Sequence, residues 1–313
     1  MTFQPTATLT VTSMSSISPP TVKTPGYKSA LLALTVSVAA FAAACGSADN
    51  ELVAGSGDLG HIHDLVVTGD GVLLVASHTG LYRIDDIDRA VLVGDEHHDL
   101  MAMTSTNEEH LLASGHPDLR LEHYRVDDHP AFLGLATSTD GGASWAELDL
   151  LGAADFHALV LVGDDLYAAE TTGRIWHRDS TGTWAELGDV EARDLAIDPS
   201  NTQNQLAPGY DGVVWASVDG ANTWNALEDA PSIIEIEWID SGSILGVDEA
   251  GTIWSTESIN ARWNELARGP SEVETFHIDD SGAWWITVHG GGISQSIDQG
   301  QSWIDVYIPP DGP

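Results

Sequence analysis

A chain of 313 residues with 48 Asp and Glu against 11 Lys and Arg carries a formal charge of −37. Such a surface repels nucleic-acid phosphates and anionic lipid, so no nucleic acid is expected as a partner and membrane contact has to be made through an attached lipid. Hydrophobic residues make up 42% of the chain, enough for a folded core, and the single cysteine excludes a disulfide framework.

Residues 1–44 are rich in Ser, Thr and Pro, contain the only two lysines, Lys23 and Lys28, and end in an uncharged stretch over residues 30–44. This is the pattern of an export signal, with a basic n-region and an apolar segment too short to span a bilayer. It closes as Phe41-Ala-Ala-Ala44-Cys45-Gly46-Ser47, which resembles a bacterial lipobox. The resemblance implies cleavage before Cys45 and lipidation there, hence an exported protein anchored to the extracytoplasmic face of the cell membrane. The alternative is ordinary secretory cleavage near Ala44. Residues 45–59 read as a lipidated tether and residues 60–313 as the folded domain, which is free of lysine. Its acidity suits solubility or high salt, or else cation recruitment.

From residue 63 onward the chain repeats. Copies begin at His63-Asp-Leu-Val-Val67, His98-Asp-Leu-Met-Ala102, His157-Ala-Leu-Val-Leu161, Arg193-Asp-Leu-Ala-Ile197, Glu235-Ile-Glu-Trp-Ile239 and Glu274-Thr-Phe-His-Ile278. Each is a short β-rich run followed by a turn signal such as Gly69-Asp70-Gly71, then a second run, then a Gly introducing a third. Tryptophans 145, 184, 224, 263 and 303 recur at intervals of 39, 40, 39 and 40 residues and lead into a fourth run. Four strands per repeat at this period predict an all-β fold, a six-bladed β-propeller, with seven blades as the alternative. The first repeat has Tyr82-Arg-Ile-Asp-Asp86 where a turn phrase is expected. The last repeat owns four strands, so the ring closes without strand exchange unless residues 51–54 add one.

Three of the tryptophans close one phrase: Ser138-Thr-Asp140-Gly-Gly142-Ala-Ser-Trp145, Ser217-Val-Asp219-Gly-Ala-Asn-Thr-Trp224 and Ser296-Ile-Asp298-Gln-Gly300-Gln-Ser-Trp303. The Ser and Asp side chains can bond backbone N–H groups, Gly supplies positive φ, and Trp fills space between blades. The phrase resembles the Asp box, or BNR repeat, of sialidases and sortilin-type receptors, which implies a structural role on the face away from the binding site. Together with His61-Ile-His63, Ala76-Ser-His78-Thr-Gly-Leu-Tyr82, Leu112-Ala-Ser-Gly-His116-Pro117 and Asp155-Phe-His157, it is similar to bacterial lipoproteins described as sialidase-like or BNR-repeat glycosyl hydrolases. That resemblance implies glycoside hydrolysis. A sialidase of this fold grips its sugar with three arginines, whereas only Arg193 stands at the start of an inner strand here. No catalytic set is assigned, although any of the many acids could supply a carboxylate pair.

The aligned first positions, His63, His98, His157, Arg193, Glu235 and Glu274, are expected to ring one mouth of the channel. His61, His78, His116 and His289 join them from neighbouring loops, and the long loop over residues 115–133 could cover the site. Histidines with carboxylates suit a divalent transition metal, Zn or Cu, with His63, His98 and His157 as ligands. Met101 and Met103 would favour copper. The alternative is that these histidines replace lysine as polar mouth residues. The expected function is binding of a metal, glycan or other small ligand at this mouth. A glycoside hydrolase and a protein-interaction scaffold are the competing classes.

Overall fold

The computed structural model describes residues 59–106, 109–239 and 242–310. The expected signal, Cys45 and all of the tether but Leu59 lie outside the described residues. Among the described residues no helix is long and apolar enough to cross a membrane.

The strands form six four-stranded antiparallel sheets, each made of four consecutive strands. The fold is therefore a six-bladed propeller, and the seven-bladed alternative is excluded. The first strands, Ile62–Val67, Asp99–Ser105, Phe156–Val162, Ala196–Ile197, Glu235–Trp238 and Val273–Ile278, line an axial cavity of about 370 Å³. Each packs beside the next, and the last packs beside the first. Blade 1, which lacks the turn phrase, still completes its fourth strand, Arg89–Leu92, because Asp86 pairs directly with Arg89 across a two-residue turn.

Second strands such as Leu73–Ser77 are buried at every residue because blades cover both faces. Fourth strands such as Ala146–Asp149 are mostly exposed. Between blades 1 and 2 the core contains Val66, Leu74, Leu81, Leu100, Met103 and Leu111. Each such side chain, fully buried, contributes about 1.5–3 kcal/mol.

The three turn phrases share one hydrogen-bond pattern. Ser138 Oγ accepts from Gly142 N at 2.8 Å and donates to Asp140 Oδ1 at 2.8 Å, while Asp140 Oδ1 and Oδ2 receive Ser144 N and Oγ. Ser217 with Asp219, and Ser296 with Asp298, repeat it. Gly142 and Gly300 have φ of +87° and +79°. At the same place Ala221 is buried at φ +64°, so that turn holds a Cβ in the left-handed region. These turns join third to fourth strands and so lie at the opposite end of the blades from the entries to the inner strands.

Candidate metal centre at the channel mouth

The mouth is built where the chain enters each inner strand and where second strand turns into third. In blade 1, Ile62 pairs with Ser77 and Asp64 with Ala76, which leaves His63 as the extra residue of a bulge. Bulges re-aim a side chain out of the regular alternation. The same bulge carries Met101 in blade 2, His157 in blade 3 and Glu274 in blade 6.

His63 Nε2, His78 Nδ1 and Asp99 Oδ1 converge. Their separations are 3.1 Å between the imidazoles, 2.8 Å from His78 to Asp99 and 3.6 Å from His63 to Asp99. Metal–ligand bonds of 2.0–2.1 Å in a tetrahedron require ligand atoms ~3.3 Å apart, so the three atoms already outline one face of such a site. The fourth vertex belongs to no protein atom of this set. Burial, reinforced by His78, lowers the His63 pKa to about 4 against the pull of Asp99, which keeps the ring neutral, the form that ligates metal. Burial pushes the Asp99 carboxyl up, but hydrogen bonds from His116 and His78 outweigh it and hold it below its ordinary value.

The cluster continues round the mouth. His116 Nδ1 lies 3.3 Å from Asp99 Oδ2, and its Nε2 lies 3.6 Å from Asp155 Oδ2. The Asp99 hydrogen bond raises the His116 pKa. His157 Nε2 is 3.3 Å from the same Asp155 oxygen, and Tyr210 OH is 3.4 Å from His157 Nδ1. Asp155 Oδ1 is buried without a hydrogen-bond partner, and such orphaned buried acceptors are uncommon. On the other side, His61 Nδ1 and His289 Nδ1 stand 3.0 and 3.1 Å from Glu274 Oε1. Imidazole stacking of His61 on His63, with centroids 5.9 Å apart, joins the two groups.

His98 does not belong to this cluster. Its side chain is 1% exposed, Nδ1 accepts from Asp118 N at 2.9 Å and Nε2 meets Glu96 at 2.8 Å, so both ring nitrogens are engaged. The sequence alignment is out by three residues in blade 2, where the bulge puts Met101 in the place of His63. The expected set of His63, His98 and His157 is thus replaced by His63, His78 and Asp99. Glu235 is likewise displaced by one register position, since Ile236 N receives Asp194 Oδ2 just as Met103 N receives Asp64 Oδ2. It pairs with Arg193 at 3.1 Å, and Arg193 Nη2 also donates to Glu274 O. Met103 is buried in the core rather than presented at the mouth. The long loop of blade 2 is pinned through Tyr124, whose OH donates to Trp145 O and whose ring packs on His98.

Below the mouth the channel wall carries Asp64, Asp194 and Glu237. Burial pushes Asp64 up to about 6 and Asp194 up to about 7. Burial also raises Glu235, with Asp194 adding to it. Burial disfavours charge on His277, yet the hydrogen bond and charge of Glu237, together with Asp64 and Asp279, outweigh it and raise its pKa.

No protein-family model matches the chain, and no curated protein matches it. Among solved structures, a GH74 enzyme from Niastella koreensis is 16% identical over 79% of this chain and 37% of that one, with a TM-score of 0.50. An ancestral GH74 enzyme is 14% identical over 81% of this chain and 39% of that one, with a TM-score of 0.52. YCF48 bound to D1 peptide is 18% identical over 66% of this chain and 67% of that one, with a TM-score of 0.42. The chain spans under two fifths of the length of the two GH74 enzymes, and at these identities the likeness is one of propeller fold.

Proposed function

We propose that the protein is an exported, lipid-anchored propeller that binds a divalent transition metal through His63, His78 and Asp99. The fourth position faces the mouth and takes water or a small oxygen ligand. The observation that carries this reading is the 2.8–3.6 Å spacing of the three ligand atoms, which come from the bulge of one inner strand, the turn after the second strand and the start of the next inner strand, and so from two blades. Two nitrogens and one oxygen suit zinc, and neither Met101 nor Met103 belongs to the converging set, Met103 being buried in the core. Three protein ligands with one exchangeable position form the arrangement that either polarises a bound oxygen or simply captures it. Glycoside hydrolysis rests on resemblance alone, because no carboxylate pair with that spacing is assigned. The anchor rests on residues 30–44 and Cys45.

The test is zinc titration of the full chain, purified without a His tag and stripped with chelator, against a chromophoric competitor. One tight equivalent should vanish in both His63→Ala and His78→Ala. Unchanged stoichiometry and affinity in both variants would overturn the reading. Aryl-glycoside hydrolysis that is independent of metal and lost in a single mouth carboxylate variant would replace it with a glycosidase. Radiolabelled fatty acid should enter the wild type and not Cys45→Ser, and equal labelling of both refutes the anchor.

A further inference from the structure

Among the described residues the ring closes without a shared strand. All four strands of blade 6, Val273–Ile278, Trp284–Val288, Gly292–Ser296 and Ile304–Tyr307, come from the C-terminal repeat, so among the described residues the seam with blade 1 is held by side chains and isolated hydrogen bonds. Leu59 packs with Ile62, Trp285 and Tyr307, and Ile308 N donates to Ile87 O. Two other junctions near the mouth use one device. The histidine at the end of a second strand reaches the acid two residues ahead of the bulge of the next inner strand: His78 to Asp99 from blade 1 to blade 2, and His116 to Asp155 from blade 2 to blade 3.

At the seam the histidine is present and the acid is not. His289 follows the second strand of blade 6, but the residue two ahead of the bulge in blade 1 is His61, and the two rings meet edge to face with centroids 5.4 Å apart. A carboxylate comes instead from the bulge position of blade 6. Glu274 is buried, its Oε2 accepts Ile62 N at 3.0 Å, and its Oε1 meets His61 Nδ1 and His289 Nδ1 at 3.0 and 3.1 Å. Two imidazoles and one carboxylate oxygen, all within 4.8 Å of one another, span blades 6 and 1 with a buried acid below and two rings at the surface, 52% and 69% exposed.

We propose that His61, Glu274 and His289 form a second transition-metal site that clasps the seam of the propeller, with zinc as the ion that fits this donor set. It is a structural site, distinct from the mouth site at His63, His78 and Asp99, and it stands if that reading fails. Because the ion ligates both terminal blades, it binds only the closed ring, so it stabilises the fold by mass action. The exposure of both imidazoles lets them be removed without disturbing the Glu274 to Ile62 hydrogen bond.

The experiment is thermal unfolding and hydrogen exchange of the full chain with zinc or with chelator. Zinc a hundredfold above its Kd should raise the wild-type Tm by about 5–10 °C, and should slow exchange at Ile62 N. His61→Ala and His289→Ala, each made singly, should fold, lose the clasp's share of that shift and lose the protection. His63→Ala should lose the mouth equivalent with its own share of the shift, and keep the clasp's share and the protection at Ile62. Loss of the Tm shift in His63→Ala with retention in His61→Ala and His289→Ala would overturn the clasp and leave the mouth site standing. Absence of any shift in the wild type, or zinc binding through His61 and His289 with no protection at Ile62, overturns it too.

Discussion

His116 Nδ1 lies 3.3 Å from Asp99 Oδ2, the carboxylate oxygen not engaged by His63 and His78. A metal-bound carboxylate needs its second oxygen held if its orientation is to survive the loss or exchange of the ion. Such outer partners are typically worth about 10–100-fold in metal affinity. His116→Ala should therefore weaken zinc binding at the mouth by that factor, measured by chelator competition. Because this side chain is 39% exposed, the Tm of the metal-free protein should hardly move. His116→Asn, whose amide can still donate to Asp99, should recover part of the affinity; an alanine variant that binds zinc as tightly as wild type removes His116 from the site.

The turn phrases give a prediction on stability rather than binding. Ser138 Oγ is the acceptor for the buried Gly142 N–H, so Ser138→Ala leaves that donor unpaired at about 1–3 kcal/mol. The Tm should fall by about 2–4 °C per kcal/mol for a domain of this size. Ser296→Ala should behave alike, since Gly300 N makes the same bond at 2.8 Å, and the double variant should be additive because the turns share no partner. Glycine substitution should separate two neighbours. At Gly142 an added Cβ would stand 2.1 Å from Leu81 Cδ2, whereas at Gly141, φ +68°, it meets open space. Gly141→Ala should then cost only the left-handed penalty of about 1–2 kcal/mol, and Gly142→Ala distinctly more. Equal melting temperatures would refute the packing argument.

The number of blades was legible because tryptophan spacing and turn residues are local signals that repeat. The site was less so. His61, His63, His78, His116, His157 and His289 lie in the mouth cluster, but Asp99 and Asp155, which tie its histidines together across blade junctions, were hidden in plain acidic sequence. Their only signal is position, directly ahead of or opening an inner strand, and reading it needs a register that bulges disturb. In blade 2 the residue at the bulge is Met101, an apolar side chain that the polar column did not mark, so the alignment settled three residues early on His98. Glu235 failed by one residue because its strand lacks the bulge seen at His63 and Glu274. A chain with 48 acids offers no compositional contrast to mark the few carboxylates that matter.

Asp194 sets a pH dependence whose sign follows from its surroundings. Its two oxygens accept Leu195 N at 2.7 Å and Ile236 N at 2.7 Å, tying blade 4 to blade 5. Burial pushes its pKa up to about 7, against those hydrogen bonds, from an unperturbed 3.8. Below about pH 4 the carboxyl is protonated in folded and unfolded chains alike and contributes no pH dependence. Between about 4 and 7 the unfolded chain releases the proton while the folded one retains it, so this group makes stability fall as pH rises, with no further loss above the folded pKa. Asp194→Asn removes the titration but leaves one of the two backbone N–H groups without an acceptor, at about 1–3 kcal/mol. At pH 5 the variant should melt below wild type. The gap should narrow as pH rises to 8, helped by Glu235, which no longer faces the Asp194 charge. Differential scanning calorimetry of both proteins at pH 5, 6, 7 and 8 measures it. A gap that is constant or widens over that range would show that Asp194 is ionised throughout, with its two N–H bonds outweighing burial.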